Sequence, residues 1–377
     1  MDVQLIGTGG ADGWPRPGCR CACCARGRAA GRSRAPAAVL VDGTLRFTAG
    51  RGVPDALDAP AGLDAPAGLD APAGPDGGHV VRRLPGGWDV TAPDGGRLLI
   101  AAGPGAVPEP ETGARPYDVA LLDLAGDPFQ LGDLRRRGLV RAETAVTAFH
   151  LDDRISSEQE MARRCLLWGV LLPDDGEHVG EPALAPAPPG RTLVLGGARS
   201  GKSREAELRL AGEPDVTYLA TAPAPDGTAD PDWADRIAAH RERRPRGWTT
   251  AEGVDVAGHI RNKSSGILLV DGIGRWLAGV LDECGAWDQA PDGAAGLAAG
   301  TAAAKRVDAA VDELVLSWRQ APARIVAVSD EAGSGVVPAT RAGRLFRDRL
   351  GQLNQRLAAE SEEVVLVVAG RILTAAT

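Results

Sequence analysis

Short apolar runs alternate with longer helical patterns throughout the second half of the chain. These runs lie at residues 192–196, 216–221, 267–271, 324–329 and 364–368. Alternation of this kind is typical of strands connected by helices that cross over the faces of a sheet. The pattern therefore predicts an α/β domain over residues 191–377 with a mostly parallel, doubly wound sheet.

The first half also shows ordered segments, separated by stretches that are unlikely to pack. Strand patterns occupy residues 2–9, 117–124 and 144–149, and a helix pattern occupies 127–137. Together they predict an α/β domain over residues 1–172. A perfect repeat, Leu-Asp-Ala-Pro-Ala-Gly three times over 57–74, has few large apolar groups, so a disordered or extended loop is predicted over 55–78.

Two further segments are interpreted as connections. Residues 173–190 are rich in proline and small residues, and they predict a linker between the two domains. Residues 283–305 are rich in alanine and glycine, and they are interpreted as a variable excursion between helices.

Composition restricts the partners and the location. A net charge of −8, with no isolated basic block, argues against a general nucleic-acid binder and favours small-molecule partners. The N-terminus has no basic region before a long apolar stretch, and no apolar run reaches membrane-spanning length. Four of the six cysteines fall within residues 19–24, which suits a reducing cytosol and a metal site. These features predict a cytoplasmic protein.

A phosphate-binding loop follows the first strand of the second domain. Residues 196–203 read Gly-Gly-Ala-Arg-Ser-Gly-Lys-Ser, the G-x-x-x-x-G-K-S pattern between a strand and a helix. Its backbone N–H groups would surround a phosphate, with Lys202 on the β/γ-phosphates and Ser203 on Mg²⁺. Lysine occurs elsewhere only at positions 263 and 305, so its presence here is informative. The predicted nucleotide contacts are Gly196, Gly197, Ala198, Arg199, Ser200, Gly201, Lys202 and Ser203.

A second acidic strand completes the predicted magnesium site. Residues 267–271 form an apolar run that ends in Asp271, as a Walker B strand does. Asp271 would hold Mg²⁺, directly or through water, opposite Ser203.

Six motifs occur in a fixed order along the second domain. They are the loop at 196–203, Tyr-Leu-Ala-Thr at 218–221, Arg-Ile-x-x-His-x-x-x-Arg-Pro-x-x-Trp at 236–248, Leu-Val-Asp at 269–271, Val-Ser-Asp-Glu-x-Gly-x-Gly-Val-Val-Pro at 328–338, and Arg-x-Phe-Arg-Asp-x-x-Gly-x-x-Asn-Gln at 344–355. With these motifs in this order, the domain resembles the bifunctional adenosylcobinamide kinase/adenosylcobinamide-phosphate guanylyltransferases of cobalamin biosynthesis.

The resemblance implies two reactions and a set of roles. A nucleoside triphosphate, ATP or GTP, would phosphorylate adenosylcobinamide, and GTP would pass GMP through His240 to the product, giving adenosyl-GDP-cobinamide. A neutral imidazole is a competent nucleophile, and arginines stabilise the transferring phosphoryl group. The implied residues are His240, Lys202 and Asp271 for catalysis, Arg199, Arg241, Arg244, Glu252 and Glu331 for nucleotide contacts, and, more weakly, Asn354 and Gln355.

Two positions depart from that family. Asp330 stands where the family usually has asparagine, and Gly279 stands where it usually has asparagine after the Walker B strand. Neither departure touches the predicted catalytic set, but contacts to the substrates are expected to differ. The resemblance also implies a homo-oligomer, with a trimer as one arrangement.

After the first strand of the first domain, residues 13–24 match G-x-P-x-x-G-C-x-C-x-x-C. With this segment the domain resembles the phosphodiesterase-like branch of the metallo-β-lactamase fold. By resemblance Cys19, Cys21 and Cys24 hold a structural zinc, although a reduced loop without metal is an equal alternative. The H-x-H-x-D-H motif for catalytic metals is missing, and Asp153 replaces the histidine that would complete the zinc site, which leaves Cys23 or Asp153 as the fourth ligand. The prediction is a degenerate α/β sandwich domain without a catalytic metal pair.

Two other functions fit the motifs of the second domain. One is a P-loop kinase that acts on a different small molecule, which would not carry a covalent nucleotide on His240. The other is a regulatory protein that only binds nucleotide, which the set of Lys202, Ser203, Asp271 and His240 argues against.

Overall fold

The structure is a computed structural model with side chains, and it describes residues 1–49, 57–58, 78–103, 107–108, 114–184, 186–221, 244–245, 247–287 and 294–374. The chain divides into two compact units. The first comprises Met1–Ala187 with Leu208–Pro214, and the second comprises Pro188–Glu207 with Asp215–Thr377. We describe each unit by itself.

The first unit contains two five-stranded sheets. The antiparallel sheet has the order β10-β1-β2-β3-β4, and the mixed sheet has the order β5-β6-β7-β8-β9 with parallel pairing of β7, β8 and β9. The strands are β1 (Val3–Gly7), β2 (Ala38–Val41), β3 (Leu45–Ala49), β4 (Leu57–Asp58), β5 (Val80–Leu84), β6 (Gly87–Thr91), β7 (Arg97–Ala101), β8 (Val119–Leu122), β9 (Ala145–Ala148) and β10 (His178–Val179).

Two hydrophobic clusters bury the faces of these sheets. One cluster joins the two sheets through buried side chains such as Leu5, Phe47 and Trp88. The other packs the mixed sheet against three helices, α1 (Ala22–Ala29), α2 (Gln130–Arg136) and α3 (Glu158–Trp168). Successive residues of a strand point to opposite faces of the sheet, so Val119 and Leu121 of β8 join the first cluster and Ala120 and Leu122 join the second. The arrangement is a sandwich of sheets and helices, while its assignment to the metallo-β-lactamase fold stays a prediction.

The predicted linker is partly structured. His178 and Val179 pair with Gln4 and Val3 at the edge of the antiparallel sheet, and Val179 is buried. Val179 becomes ordered because strand β1 offers a free edge for pairing. The composition of residues 173–190 does not reveal that this edge is close by. Most of the repeat at 57–74 lies outside the described residues.

The second unit contains one seven-stranded sheet with the order β13-β12-β14-β15-β11-β16-β17. All of its pairs are parallel except β16 with β17. The strands are β11 (Arg191–Gly196), β12 (Val216–Ala220), β13 (Thr249–Glu252), β14 (Ile267–Asp271), β15 (Arg324–Asp330), β16 (Glu363–Val368) and β17 (Arg371–Thr374). The mostly parallel α/β sheet predicted from the apolar runs is confirmed.

Helices connect the parallel strands of this unit, so the loops that leave the carboxyl ends of the strands lie along one edge of the sheet. The helices are α4 (Lys202–Arg209), α5 (Val256–Asn262), α6 (Ile273–Glu283), α7 (Ala294–Arg319) and α8 (Arg341–Ala359). Their apolar faces and the sheet enclose a core that includes Trp276, Leu314, Trp318 and Leu353. Ligands of open α/β sheets bind at this carboxyl edge.

One prediction is wrong in this region. The excursion between helices predicted over 283–305 is too long, because residues from Ala294 onward belong to the 26-residue helix α7. Alanine has the highest helix propensity of all residues, so a run of alanines extends a helix that begins near it. Within the described residues, no helix is long and apolar enough to cross a membrane.

Candidate nucleotide site

The loop between β11 and α4 has the backbone curvature of a phosphate cradle. Arg199 and Gly201 both have positive φ, at 55° and 95°. A side chain at Gly196 would meet Ser200 Oγ at 2.4 Å and the Val367 carbonyl oxygen at 2.7 Å, so only glycine fits there. The Gly370 amide donates to the Ser200 carbonyl at 2.8 Å and fixes the far side of the loop. The backbone is therefore shaped before any ligand arrives.

Lys202 is held at two points within this site. Its Nζ lies 2.8 Å from Asp330 Oδ1 and donates to the Gly197 carbonyl at 3.2 Å. The lysine thus folds back over its own loop, at the position that the phosphates of a nucleotide would share. Asp330, where the resemblance leads us to expect asparagine, supplies the opposite charge.

The predicted magnesium ligands meet in space. Ser203 Oγ donates to Asp271 Oδ1 at 3.2 Å, although the two residues lie 68 positions apart. Hydroxyl and carboxylate oxygens are the donors that Mg²⁺ prefers, so this pair fits the ion. The parallel pairing of β14 with its neighbours brings Asp271 to the carboxyl edge beside the loop.

Tyr218 contacts the second oxygen of Asp271. This buried phenol donates a hydrogen bond to Asp271 Oδ2, and burial beside that carboxylate raises the pKa of Tyr218. The guanidinium of Arg244 stacks on the Tyr218 ring, with Cζ 3.5 Å from the ring centroid. The sequence motif contains Tyr218, but only the pairing of β12 with β14 reveals its contact with Asp271.

The other predicted nucleotide contacts are arranged less directly. Glu252 ends β13 at the same edge of the sheet, in register with Ala220. The Glu331 carboxylate accepts from the Gly333 and Ser334 amides, so it closes its own turn. Asn354 donates to the Asp330 carbonyl at 3.0 Å and accepts from Ser329 Oγ, while Gln355 is exposed. Gly279 lies on α6 with open space around it. His240 and Arg241 lie outside the described residues.

A cysteine cluster in the first unit gathers four ligand atoms. The sulfurs of Cys19, Cys21 and Cys24 and a carboxylate oxygen of Asp153 all lie within 4.8 Å of one another. The fifth candidate, Cys23, is buried and accepts a hydrogen bond from Trp14 Nε1 instead. Of the two fourth ligands left open by the sequence, the geometry favours Asp153.

The donor set of this cluster fits zinc. Three thiolates and one carboxylate are a tetrahedral set that Zn²⁺ accepts. Burial raises the pKa of the Cys24 thiol to about 12, whereas the Cys24 amide, by donating to Cys21, lowers the pKa of the Cys21 thiol. A bound divalent cation would remove the penalty that burial places on the thiolates.

A separate carboxylate cluster in the first unit is neutralised by arginine. The Arg154 Nε lies 2.8 Å from both oxygens of Asp152, and its terminal nitrogen lies 2.9 Å from Asp123 Oδ2. The buried His150 Nδ1 is 3.8 Å from the same Asp123 oxygen. The Arg154 guanidinium therefore balances the charge of both carboxylates.

The parallel sheet, the glycine loop, Lys202 and the Ser203–Asp271 pair define a P-loop nucleotide-binding domain. A family model described as cobinamide kinase / cobinamide phosphate guanyltransferase matches residues 192–375. The bifunctional adenosylcobalamin biosynthesis protein CobU of Escherichia coli is 36% identical over 187 residues, which cover 47% of this chain and 95% of that protein. CobP of Pseudomonas aeruginosa is 38% identical over 187 residues, covering 48% of this chain and 94% of that protein. The chain belongs to this cobinamide kinase / cobinamide phosphate guanyltransferase family.

Proposed function

We propose that the second unit catalyses both reactions implied by its family. A nucleoside triphosphate phosphorylates the hydroxyl of adenosylcobinamide, and GTP then guanylylates the phosphate to give adenosyl-GDP-cobinamide. The observation that carries this proposal is the meeting of Ser203 and Asp271 at 3.2 Å beside Lys202. Phosphoryl transfer needs this combination of a cation and oxygen ligands more than any covalent chemistry from the protein.

The chain's own residues have separate tasks in the first reaction. The loop amides and Lys202 bind the β- and γ-phosphates, and Arg199 adds positive charge at the exposed edge of the loop. Ser203 and Asp271 would hold Mg²⁺, which neutralises charge on the phosphate oxygens when bound. Tyr218 keeps the Asp271 carboxylate oriented, since it occupies the oxygen that does not face Ser203.

The second reaction uses His240 as nucleophile. A nitrogen of the imidazole attacks the α-phosphorus of GTP, a P–N bond forms, and the bond to the β-phosphate breaks with release of pyrophosphate. The phosphate of adenosylcobinamide phosphate then attacks the same phosphorus, and the P–N bond breaks. Arg241 and Arg244 would stabilise the charge on the transferring group. Arg244 on the Tyr218 ring supports this role, because it lies at the carboxylate side of the site.

Labelling with GTP tests the covalent step. Incubation with GTP labelled at the α-phosphate and Mg²⁺ is expected to leave a GMP adduct that survives denaturation and alkali but not mild acid. His240→Asn should abolish the adduct and retain kinase activity, because γ-phosphoryl transfer does not need the imidazole. His259→Asn is the matched control, since the hydrogen bond described for that ring joins it to the Asp255 carbonyl at the start of its own helix α5. A full adduct in His240→Asn would refute this assignment, and a kinase without any adduct would favour the alternative of a kinase for another substrate.

We further propose that the first unit holds one structural zinc ion on Cys19, Cys21, Cys24 and Asp153. The ligand atoms converge within 4.8 Å, which supports a single four-coordinate ion. Elemental analysis of the purified chain should find close to one zinc per chain, and Cys21→Ser should lose it. Cys284→Ser, a cysteine of the second unit, should keep the metal. Equal zinc content in the two variants would contradict the site.

A further inference from the structure

Asp330 lies at the carboxyl edge of the sheet, between the strands that carry the P-loop and Asp271. It is the last residue of β15, which lies between the P-loop strand β11 and the Asp271 strand β14. In the parallel register it pairs with Gly196, the first glycine of the loop. The carboxyl end of β15 therefore places one more carboxylate beside the phosphate cradle.

The backbone of Asp330 is held in place by its surroundings. Asn354 is buried and donates to the Asp330 carbonyl at 3.0 Å, and it also accepts from Ser329 Oγ at 2.7 Å. A side chain at Gly274 would lie 2.7 Å from Asp330 Oδ2, so the start of α6 leaves room for the carboxylate only because glycine is there. The contact with Lys202 therefore reflects a fixed backbone, even though the Asp330 side chain is 43% exposed.

Lys202 cannot serve Asp330 and a triphosphate equally. Its ammonium group lies 2.8 Å from the Asp330 carboxylate, and phosphates placed on the loop would compete for the same charge. Once the lysine moves to the phosphates, Asp330 is left facing a polyanion, with the Asp271 carboxylate nearby on the adjacent strand. Like charges gathered in one site disfavour binding, unless another cation neutralises them.

Resting on the proposed function, we infer that Asp330 makes triphosphate binding conditional on a divalent cation. In the nucleotide-free protein Asp330 pairs with Lys202. It weakens the binding of a metal-free triphosphate, because that pair must break and the carboxylate then repels the phosphates. A triphosphate that brings Mg²⁺ carries less negative charge and presents a cation to the carboxylates. Its affinity is therefore reduced much less by Asp330. Asp330 is thus a positioning residue that acts through Lys202, and asparagine at this position would relax the discrimination.

Binding measurements on the full chain test this inference. The probe is the α,β-methylene analogue of GTP, which cannot transfer GMP, titrated calorimetrically in EDTA and in excess Mg²⁺. Asp330→Asn should bind the metal-free analogue at least about tenfold more tightly than the wild type, with a much smaller change in Mg²⁺. The ratio of the two affinities should therefore fall. Asp330→Glu, which restores the charge, should behave like the wild type.

Two controls separate charge competition from general effects. Asp312→Asn removes a surface carboxylate that is also paired, with Arg356, and should leave both affinities unchanged. GMP, which has no β- or γ-phosphate for Lys202, should bind Asp330→Asn and wild type alike. If Asp330→Asn leaves the ratio of the affinities in Mg²⁺ and in EDTA unchanged, the inference about Asp330 is wrong, while the proposed function still stands. If the wild type binds the analogue in neither buffer, the proposed function fails as well.

Discussion

Lys202 in the second unit and Arg154 in the first both neutralise aspartates that lie at or just beyond strand ends, but they do so differently. Lys202 reaches one half-exposed carboxylate and one carbonyl, both with a single ammonium group. Arg154 spans two carboxylates with a planar fork, and one of them, Asp123, is buried with 5% of its side chain exposed. The lysine is an exchangeable cation that a ligand can recruit, whereas the arginine is a fixed one.

The two cations therefore differ in role: Lys202 is available to bind a ligand, whereas Arg154 is needed for the stability of the first unit. An exposed pair contributes little to stability, so its partner can be exchanged for a ligand at small cost. A buried carboxylate that loses its cation is strongly destabilising, so its partner cannot leave. The exchangeable and the fixed cation should therefore respond differently to substitution.

Removal of the exchangeable cation should abolish activity and spare stability. Lys202→Ala is expected to lower the rate of adenosylcobinamide phosphorylation by about 10²- to 10³-fold, because no other lysine can reach the phosphates. Its free energy of unfolding should change by less than about 1 kcal/mol, since the pair with Asp330 is partly exposed. Steady-state kinetics and urea denaturation measure the two quantities, with Lys305→Ala at an exposed position of helix α7 as control. Wild-type rates in Lys202→Ala would remove the loop from the mechanism.

Removal of the fixed cation should have the opposite effect. Arg154→Met leaves the buried Asp123 carboxylate without its guanidinium, with the Gly126 amide still donating to Oδ1, and it should destabilise the first unit by about 3 kcal/mol. Hydrogen–deuterium exchange should show lost protection in β8 and β9, while the kinase rate stays unchanged. The double variant Arg154→Met/Asp123→Asn should recover part of the protection, because the buried charge is gone. If Arg154→Met exchanges like the wild type, the arginine is not a structural cation.

The contact that orients Asp271 should have an intermediate effect. Tyr218→Phe removes the hydrogen bond to Asp271 Oδ2 and should raise the Mg²⁺ concentration for half-maximal activity about tenfold. The maximal rate at saturating Mg²⁺ should change much less. The control is Tyr117→Phe, which alters the one other tyrosine of the chain. An unchanged Mg²⁺ requirement would mean that Asp271 is held by other contacts.

In the first unit, the pairing of the Glu158 carboxylate with Arg32 and Arg34 should make the free energy of unfolding depend on pH. Burial alone would raise the pKa of Glu158, but hydrogen bonds from Arg32 and Arg34 outweigh burial and bring the pKa below its ordinary value. Its contribution is therefore complete above the ordinary glutamate pKa and is lost as pH falls through the lower folded pKa. Urea denaturation below pH ~4.5 should show a loss of at most about 1.4 kcal/mol per pH unit from this group. Glu158→Gln should reduce this acid dependence, whereas the exposed Glu313→Gln should not.

The sequence by itself determined the parallel sheet of the second unit and its chemical centre. The apolar runs and the loop motif act locally, because strand burial and the P-loop turn depend on neighbouring residues and on glycine at defined positions. The strand at Ile267–Asp271 ends where the pattern predicts. The family resemblance of residues 191–377 is confirmed by the match to residues 192–375.

Only the tertiary structure decided which side chains meet. The pairing of Ser203 with Asp271 was predicted from the motifs, but Asp330 against Lys202, Tyr218 against Asp271 and Arg154 between two aspartates depend on strand order and register. Strand order sets which carboxyl ends are adjacent, and no local pattern encodes it. The choice of Asp153 over Cys23 has the same cause, since burial against Trp14 turns one cysteine away and chain folding brings a distant aspartate to the others.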